Sequence, residues 1–274
     1  MADKKVNKTT GNVPPTSEST NPVQESKTTF HTETVDLPSG GKTYPADSPL
    51  AVGKIEIKYM TTKEEDILTS QNLIKQGIVI DKLLESLIVT PGVRPDDLLM
   101  GDKNGLLVAA RVLAYGPEYT VNVTHPTSGE EFEHTFNLTD CPYKELPDDV
   151  DYTENIFEYT LPISKQKITF KTPTGADERR IAKTTDALKK KLGRESSVSA
   201  RMKETIVAID GETNKLTINT AVDNMLARDA LSYRREMARI TPDIIMQQDI
   251  EWEGESISVG VPMDIEFFWP KTLA

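Results

Sequence analysis

The stretch MTTKEEDILTSQNLIKQGIVIDKLLESLI, from Met60 to Ile88, decides how the chain is organised. Thr61 and Glu64 have the spacing of a capping box, in which a hydroxyl and a carboxylate satisfy free N–H groups at a helix start. Gly77 can adopt the left-handed conformation that ends a helix. We therefore predict one helix from Thr61 to Gly77 and a second that ends before Pro91. Their apolar faces consist of Ile67, Leu68, Leu73 and Ile74 in the first helix and of Leu83, Leu84, Leu87 and Ile88 in the second.

The segment GDKNGLLVAARVLAYG, which ends at Gly116, predicts a third helix that starts at about Gly105. Its apolar side consists of Leu106, Leu107, Ala110 and Leu113. The preceding GDKNG resembles a cation- or phosphate-binding loop, but it lacks the Lys-Ser/Thr of a Walker loop and the final Glu of a calcium loop. A turn in which Asp102 or Asn104 caps the helix is the interpretation we prefer.

Alternating apolar and polar residues predict strands on both sides of these helices. KIEIKYM is typical of a half-buried strand, with Ile55, Ile57 and Tyr59 on one face and Lys54, Glu56 and Lys58 on the other. After Gly116, YTVNVTH and EFEHTFNL alternate around the turn PTSGE and predict a β-hairpin. Its inner face would carry Val121, Val123, Phe132 and Phe136. The acidic CPYKELPDDVD that follows is interpreted as a connector.

The second half of the chain predicts a similar set of elements. IFEYTLP and KITFKTP indicate a hairpin, and Thr174 and Asp177 start a helix with capping-box spacing. A further helix is predicted from Ser196 to Ile209, and one or two more before Pro242. The C-terminal part predicts a hairpin that turns at EWEGE and ends in an aromatic cluster of Phe267, Phe268 and Trp269.

The two halves also match residue by residue, which suggests an internal duplication. KIEIKYMTTKEEDIL from Lys54 aligns with KITFKTPTGADERRI from Lys167. Further along, Pro117 aligns with Pro242, Gly129 with Gly254, and Glu130 with Glu255. The alternative is that two amphipathic α+β segments share this pattern by chance, because such patterns are common. A duplication would place the two halves about a pseudo-dyad.

These elements predict an α+β fold with two similar strand-helices-hairpin halves. Residues 1–35 consist mainly of Thr, Ser, Asn, Pro and Lys, and we predict that they form a disordered arm. Residues 36–150 would form the first half and residues 151–274 the second.

Composition limits the classes of function. With a net charge of −11 over 274 residues, the chain is a poor candidate for general nucleic-acid binding, which needs concentrated Lys and Arg. The one local exception is the basic run Arg179, Arg180, Lys183, Lys189, Lys190 and Lys191, which we interpret as a solvated helix face. A single cysteine excludes an internal disulfide and suits a reducing compartment. The N-terminus lacks the apolar core of a secretory signal, and charges interrupt the long apolar runs, so no membrane segment is expected.

No catalytic, cofactor-binding or metal-binding residues are assigned from the sequence. His125 and His134 lie on one face of the first hairpin and Cys141 follows it, but the spacing fits no standard zinc site. The acidic groups Glu64, Glu65 and Asp66, and Asp148, Asp149 and Asp151, are interpreted as helix-dipole partners and solvated charge. Because no catalytic motif is found, we expect neither an enzyme nor a small-molecule substrate.

The Met60–Ile88 stretch, the segment GDKNGLLVAARVLAYG and the terminal VPMDIEFFWP together resemble the baseplate hub assembly proteins of T-even-like contractile-tailed phages. This resemblance implies a non-enzymatic assembly factor or bound subunit of the tail baseplate hub, without a cofactor. Its partners would be other phage tail and hub proteins. It would act in the cytoplasm of the infected host, and in the tail baseplate if it stays bound. Some relatives carry Cys-Pro-x-Cys-Gly knuckles at the two hairpin turns, but here HPTSG and EWEGE retain only the glycines.

A second class of function is a metal-stabilised nucleic-acid-binding or interaction module. That alternative predicts bound zinc and an affinity that falls steeply with salt.

Overall fold

A computed structural model of the chain describes residues 30–193, 197–263 and 265–268. The predicted α+β class is confirmed, since helices alternate with four small antiparallel sheets among these residues. The first half contains β1 (Thr32–Asp36), β2 (Lys54–Lys58), α1 (Thr62–Thr69), α2 (Gln71–Gln76), α3 (Val79–Leu87), α4 (Met100–Tyr115), β3 (Glu118–Thr124) and β4 (Glu131–Asn137). The second half contains β5 (Phe157–Thr160), β6 (Lys167–Phe170), α5 (Gly175–Leu192), α6 (Ser197–Thr205), β7 (Ile206–Ile209), α7 (Lys215–Asp223), α8 (Ala227–Ile240), β8 (Gln247–Trp252) and β9 (Glu255–Gly260).

The strands form three two-stranded sheets, β1-β2, β3-β4 and β8-β9, and one three-stranded sheet, β5-β6-β7. In the part of the chain that the structure describes, no helix combines the length and apolarity that crossing a bilayer would require.

The N-terminal boundary of the fold differs from the prediction. The predicted disordered arm ended at residue 35, but β1 pairs with β2 from Thr32 onward. Residues 1–29 lie outside the described residues, so the arm itself stays a prediction. The pattern was missed because β1 buries only Val35 among its five side chains. A strand with a single buried side chain lacks the alternation by which strands are recognised.

The helix starts predicted from capping boxes are confirmed at Thr61 and Thr174. Gly77 ends α2 at a φ of 68°. The first predicted helix is interrupted at Ser70, whose extended backbone ends α1 and begins α2. Serine favours such boundaries because its hydroxyl competes for backbone hydrogen bonds.

Another predicted helix, Ser196 to Ile209, is correct only as far as Thr205. Its last four residues, IVAI, form β7 and pair with β6. Branched side chains pack well on a pleated sheet and lose rotamer freedom in a helix, which explains the change of conformation.

GDKNG is not a turn, because α4 begins at Met100 and includes it. Its two glycines allow close contact with other parts of the chain. A Cβ at Gly101 would overlap the carbonyl oxygen of Pro242, and a Cβ at Gly105 would lie 2.7 Å from Cγ of Pro38. Helix α4 can therefore pack directly against two proline-containing loops.

The buried apolar residues form two clusters. The first contains the strands and helices of the first half together with β8, β9, Phe267 and Phe268. The second contains residues between Leu146 and Ile240. Trp252 of β8 stacks on Phe132 of β4 with ring centroids 4.0 Å apart, so the C-terminal hairpin is in contact with the hairpin β3-β4. The division into domains at residue 150 stays a prediction, but the C-terminal hairpin packs with the first half. Trp269 lies outside the described residues.

Four carboxylates are fully buried among the described residues, and each is the third residue of a helix. They are Glu64 in α1, Asp102 in α4, Asp177 in α5 and Asp229 in α8. Because a carboxylate loses its hydration on burial, each needs several hydrogen-bond donors. The donors tie each helix start to a hairpin that precedes it in the chain.

Glu64 and Asp177 bind equivalent lysines. Lys58 donates to Glu64 at 2.7 Å, and Lys171 donates to Asp177 at 2.7 Å. Lys58 was predicted on the polar face of its strand, but it is only 6% exposed because its ammonium group bonds this carboxylate.

Asp102 binds the connection between β1 and β2, and Asp229 binds the turn between β5 and β6. Asp102 accepts the N–H of Ser39 at 2.7 Å, and Asp229 accepts the N–H of Ile163 at 2.8 Å. This repeated arrangement fits the predicted duplication, which itself stays a prediction.

The Glu64 carboxylate should make stability depend on pH. Burial opposes its ionisation, but hydrogen bonds from Lys58, Ser86 and Thr61 outweigh burial and lower the pKa of Glu64 from 4.5 to about 2. A lowered pKa stabilises the folded protein above the ordinary pKa, and that contribution is lost as the pH falls from about 4.5 to about 2. We expect the difference in unfolding free energy between wild type and Glu64→Gln, from urea titrations, to shrink across this range. A difference independent of pH would contradict the arrangement.

Substitution of Gly101 tests the contact between α4 and Pro242. Gly→Ala in an open helix usually stabilises by about 0.5–1 kcal/mol. Here we expect Gly101→Ala to lower the unfolding free energy by about 2 kcal/mol or more, because the methyl group has no room. The control is Gly260→Ala, where an added Cβ meets only Met246 O at 3.9 Å. Equal effects of the two substitutions in urea titrations would show that the backbones are not in close contact.

Candidate functional site

The two histidines and the cysteine singled out in the sequence each have a local partner. Nδ1 of His125 accepts the backbone N–H groups of Thr127 and Ser128 within its own turn. The ring of His134 packs edge-on against Phe136, with centroids 4.7 Å apart.

Cys141 is buried, and burial raises the pKa of its thiol. Its Sγ accepts a hydrogen bond from Gln248 at 3.3 Å. A thiol in this state is a poor metal ligand, because the thiolate is the form that binds metal. Within residues 30–193, 197–263 and 265–268, no three His, Cys, Asp or Glu side chains come together in a way that could hold a metal ion.

The acidic groups singled out in the sequence have different environments. Glu64 is buried in the ion pair with Lys58, whereas Glu65 accepts a hydrogen bond from Tyr115 at 3.1 Å. Asp149 is exposed and pairs with Arg239 at 2.8 Å. Asp151 accepts the N–H and hydroxyl of Thr153 within a local turn. These groups are used in structural contacts.

Asp102, which the sequence suggested as a capping residue of a turn, is instead a buried acceptor at the start of α4. Ser39 Oγ and Tyr44 OH donate to it at 2.8 and 2.6 Å. Burial raises the pKa of Asp102, although these hydrogen bonds partly oppose the shift. Its oxygens already have three donors, so the loop interpretation for a phosphate or a cation is not supported.

Neighbouring acids pair with part of the basic run on α5. Arg179 pairs with Asp96 and lies 3.6 Å from Asp81. Arg180 pairs with Asp177 and with Glu204 at 2.5 Å. Two of the cations that made this stretch resemble a nucleic-acid surface therefore bond to the protein itself. The other four, Lys183, Lys189, Lys190 and Lys191, are exposed, which agrees with the interpretation as a solvated helix face.

Arg111 is a buried structural residue that the sequence analysis did not single out. It is 3% exposed and donates to the carbonyl oxygens of Phe267, Gly116 and Glu118 at 2.9, 3.1 and 3.3 Å. It thus joins the end of α4 to β3 and to the C-terminal segment. Its isolated positive charge within an apolar helix was the available signal, because such a charge is buried only when it has partners.

An apolar groove lies between the free edge of β1 and helix α4. Its volume is about 430 Å³. The helix contributes Gly105, Val108, Ala109, Val112 and Leu113. The rest of the lining consists of Glu33, Thr34, Val35, Leu138, Thr139, Cys141, Tyr143 and Ile244. We call it the β1 groove. Residues at this spacing form one helix face, which explains why a continuous apolar stripe lines it.

A second groove, of about 580 Å³, lies between α6 and α8. Met202, Tyr233 and Met237 line it, and Val198 at its side is 49% exposed. Exposed apolar surface of this size marks a protein-interaction site or a ligand-binding groove.

Comparison with known proteins identifies the family. A family model described as T4 bacteriophage base plate protein matches residues 29–246. No curated protein and no solved structure shows significant similarity to the chain. We call β1-β2 with α1 and α4, and β5-β6 with α5 and α8, the two hairpin-to-helix units. The matched region includes both units and the β1 groove, and it covers most of the sequence. The resemblance to phage baseplate proteins is therefore confirmed, and the chain belongs to the T4 bacteriophage base plate protein family.

Proposed function

We propose that the chain is a non-enzymatic protein that takes part in assembling the central hub of a phage tail baseplate, as an assembly factor or as a bound subunit. The observation that carries the proposal is the family match over residues 29–246. Its partners would be other tail and hub proteins, which it meets in the host cytoplasm during assembly or within the tail itself.

The polar interior supports a role without bond-making chemistry. The four buried carboxylates each accept hydrogen bonds from neighbouring residues, and these bonds hold helices to hairpins. A general acid or base needs a reactive group that faces a substrate. Here the most deeply buried acids are already committed to structural partners.

The surface supports a role in protein contacts. The exposed large apolar side chains include Val52, Tyr59, Tyr143, Ile156, Ile163, Val198, Leu216, Leu226, Leu231 and Ile245. Together with the two grooves they offer apolar area to partners. The net charge of −11 opposes self-association before a partner binds, since like charges repel.

Deletion of the gene from the phage tests this proposal. We expect the deletion phage to make few complete baseplates in electron micrographs, and the wild-type gene supplied in trans to restore them. An affinity-tagged chain should co-purify with hub proteins from infected cells. The Lys75→Gln variant, altered at an exposed polar residue of α2, serves as a control for expression and folding during complementation. Normal baseplates in the deletion phage, together with no recovered tail protein, would contradict the proposal.

Mass spectrometry of purified virions distinguishes the two roles. A bound subunit remains in the particle at a fixed copy number, whereas an assembly factor is found only in baseplate intermediates.

A further inference from the structure

Among the described residues, β1 pairs with β2 on one side and with no strand on its outer edge. The hydrogen bonds to β2 show which residues of β1 face that outer edge. Tyr59 N–H donates to His31 O at 2.9 Å, and Leu37 N–H donates to Gly53 O at 2.8 Å. The register pairs Glu33 with Ile57 and Val35 with Ile55. In an antiparallel ladder the residues between such pairs direct their N–H and C=O groups away from the partner strand.

Thr32, Thr34 and Asp36 are those intervening residues. The carbonyl of Asp36 accepts Tyr143 OH at 2.8 Å. The N–H and C=O of Thr32 and Thr34 have no bonding partner among the described residues. An edge of this kind is a template for a further strand.

The open edge borders the β1 groove. Glu33, Thr34 and Val35 form one wall, and Ala109, Val112 and Leu113 of α4, each partly exposed, form the floor. A strand added to β1 would direct alternate side chains to the same face, about 7 Å apart. Those on the groove side would be in contact with the apolar helix face.

The charge at the rim of the groove is negative. Glu33 lines it and Asp140 lies between two lining residues, Thr139 and Cys141. Both carboxylates are exposed, and neither forms an ion pair with another residue of the described ranges. Asp36, also exposed, is paired with Lys54 at 3.2 Å. The rim therefore favours a cationic neighbour.

We propose that the β1 groove binds an extended segment of a partner tail protein, which pairs with β1 as an added strand. The segment carries apolar residues at alternate positions and Lys or Arg beside them. This inference rests on the proposed function and specifies how a partner is recognised. Main-chain hydrogen bonds to Thr32 and Thr34 supply affinity, while the apolar floor and acidic rim supply specificity.

The outward-facing backbone groups of Thr32 and Thr34 favour a partner segment in a strand conformation. A helical segment would not pair with them, because a helix forms its backbone hydrogen bonds internally. The chain's N-terminal segment is a weaker candidate, since residues 1–29 contain few large apolar side chains. A second copy of the chain is disfavoured by its own acidity, which would place like charges together at the rim.

Substitution of Thr34 tests the strand pairing without disturbing β2. Thr34→Pro removes an N–H that faces away from β2, and proline is tolerated on edge strands in this orientation. The matched control is Thr34→Val, which keeps the N–H and the branched shape. Circular dichroism should show similar melting temperatures for the two variants and wild type.

The probes are overlapping synthetic peptides of about twelve residues, long enough for a strand, that cover the tail and hub proteins of the same phage. Binding to the full chain is measured by fluorescence anisotropy. We expect peptides with alternating apolar residues and an adjacent Lys or Arg to bind wild type and Thr34→Val alike. Thr34→Pro should weaken binding about tenfold or more, and Ala109→Glu on the groove floor should also weaken it.

Hydrogen exchange tests the same contact at single amides. Glu33 and Val35 bond to β2 and should be protected already, whereas Thr32 and Thr34 should become protected only when the peptide binds. Protection of Thr34 in the free chain that disappears on removal of residues 1–29 would assign the groove to the chain's own segment. A dimer that Thr34→Pro dissociates would assign it to a second copy. Either result, or equal peptide binding by the Pro and Val variants, overturns the proposal.

A phage that carries Thr34→Pro separates this inference from the proposed function. Defective baseplates in this phage, with normal ones for Thr34→Val, support both. Normal baseplates with Thr34→Pro but not after gene deletion overturn the groove inference alone. Normal baseplates in both phages overturn the proposed function as well.

Discussion

Glu64 and Asp177 lie at the third residue of α1 and α5, and Asp102 and Asp229 lie at the third residue of α4 and α8. A carboxylate in this position stabilises the helix start, but its burial is costly unless donors replace the lost water. At each of the four acids, at least one of the donors comes from the hairpin β1-β2 or β5-β6 or from a residue next to it. Each helix can therefore bury its acid only when it is docked on its hairpin, so the acids fix helix and hairpin together. The two apolar clusters form on these docked units.

The two units are joined by contacts of a different kind. Gly101 allows the backbone of α4 to pack against Pro242, and Arg111 connects α4 to the carbonyl of Phe267. The C-terminal hairpin thus completes the first apolar cluster although it follows the second unit in the chain. Among the described residues, no strand other than β2 pairs with β1.

The spacing of nearby residues in the sequence predicted the elements whose formation depends on those residues alone. Thr61 with Glu64, and Thr174 with Asp177, were sufficient to locate two helix starts, and alternation located the hairpins β3-β4, β5-β6 and β8-β9. The features that the sequence did not predict depend on residues that are distant in the chain. Lys58 is buried because of Glu64, β1 forms because β2 is beside it, and GDKNG is helical because two prolines pack on its glycines. No local pattern contains this information. The β1 groove depends on a strand with one buried side chain, which sequence alone does not reveal.

Double-mutant cycles at the two lysine-carboxylate pairs test most directly whether these buried acids organise both units. One cycle combines Lys58→Met with Glu64→Gln, and the other combines Lys171→Met with Asp177→Asn. Unfolding free energies in urea give the coupling in each cycle. The account predicts favourable coupling of about 0.5–3 kcal/mol in both, the size found for residues in direct contact within one network. Coupling near zero in either cycle would contradict it.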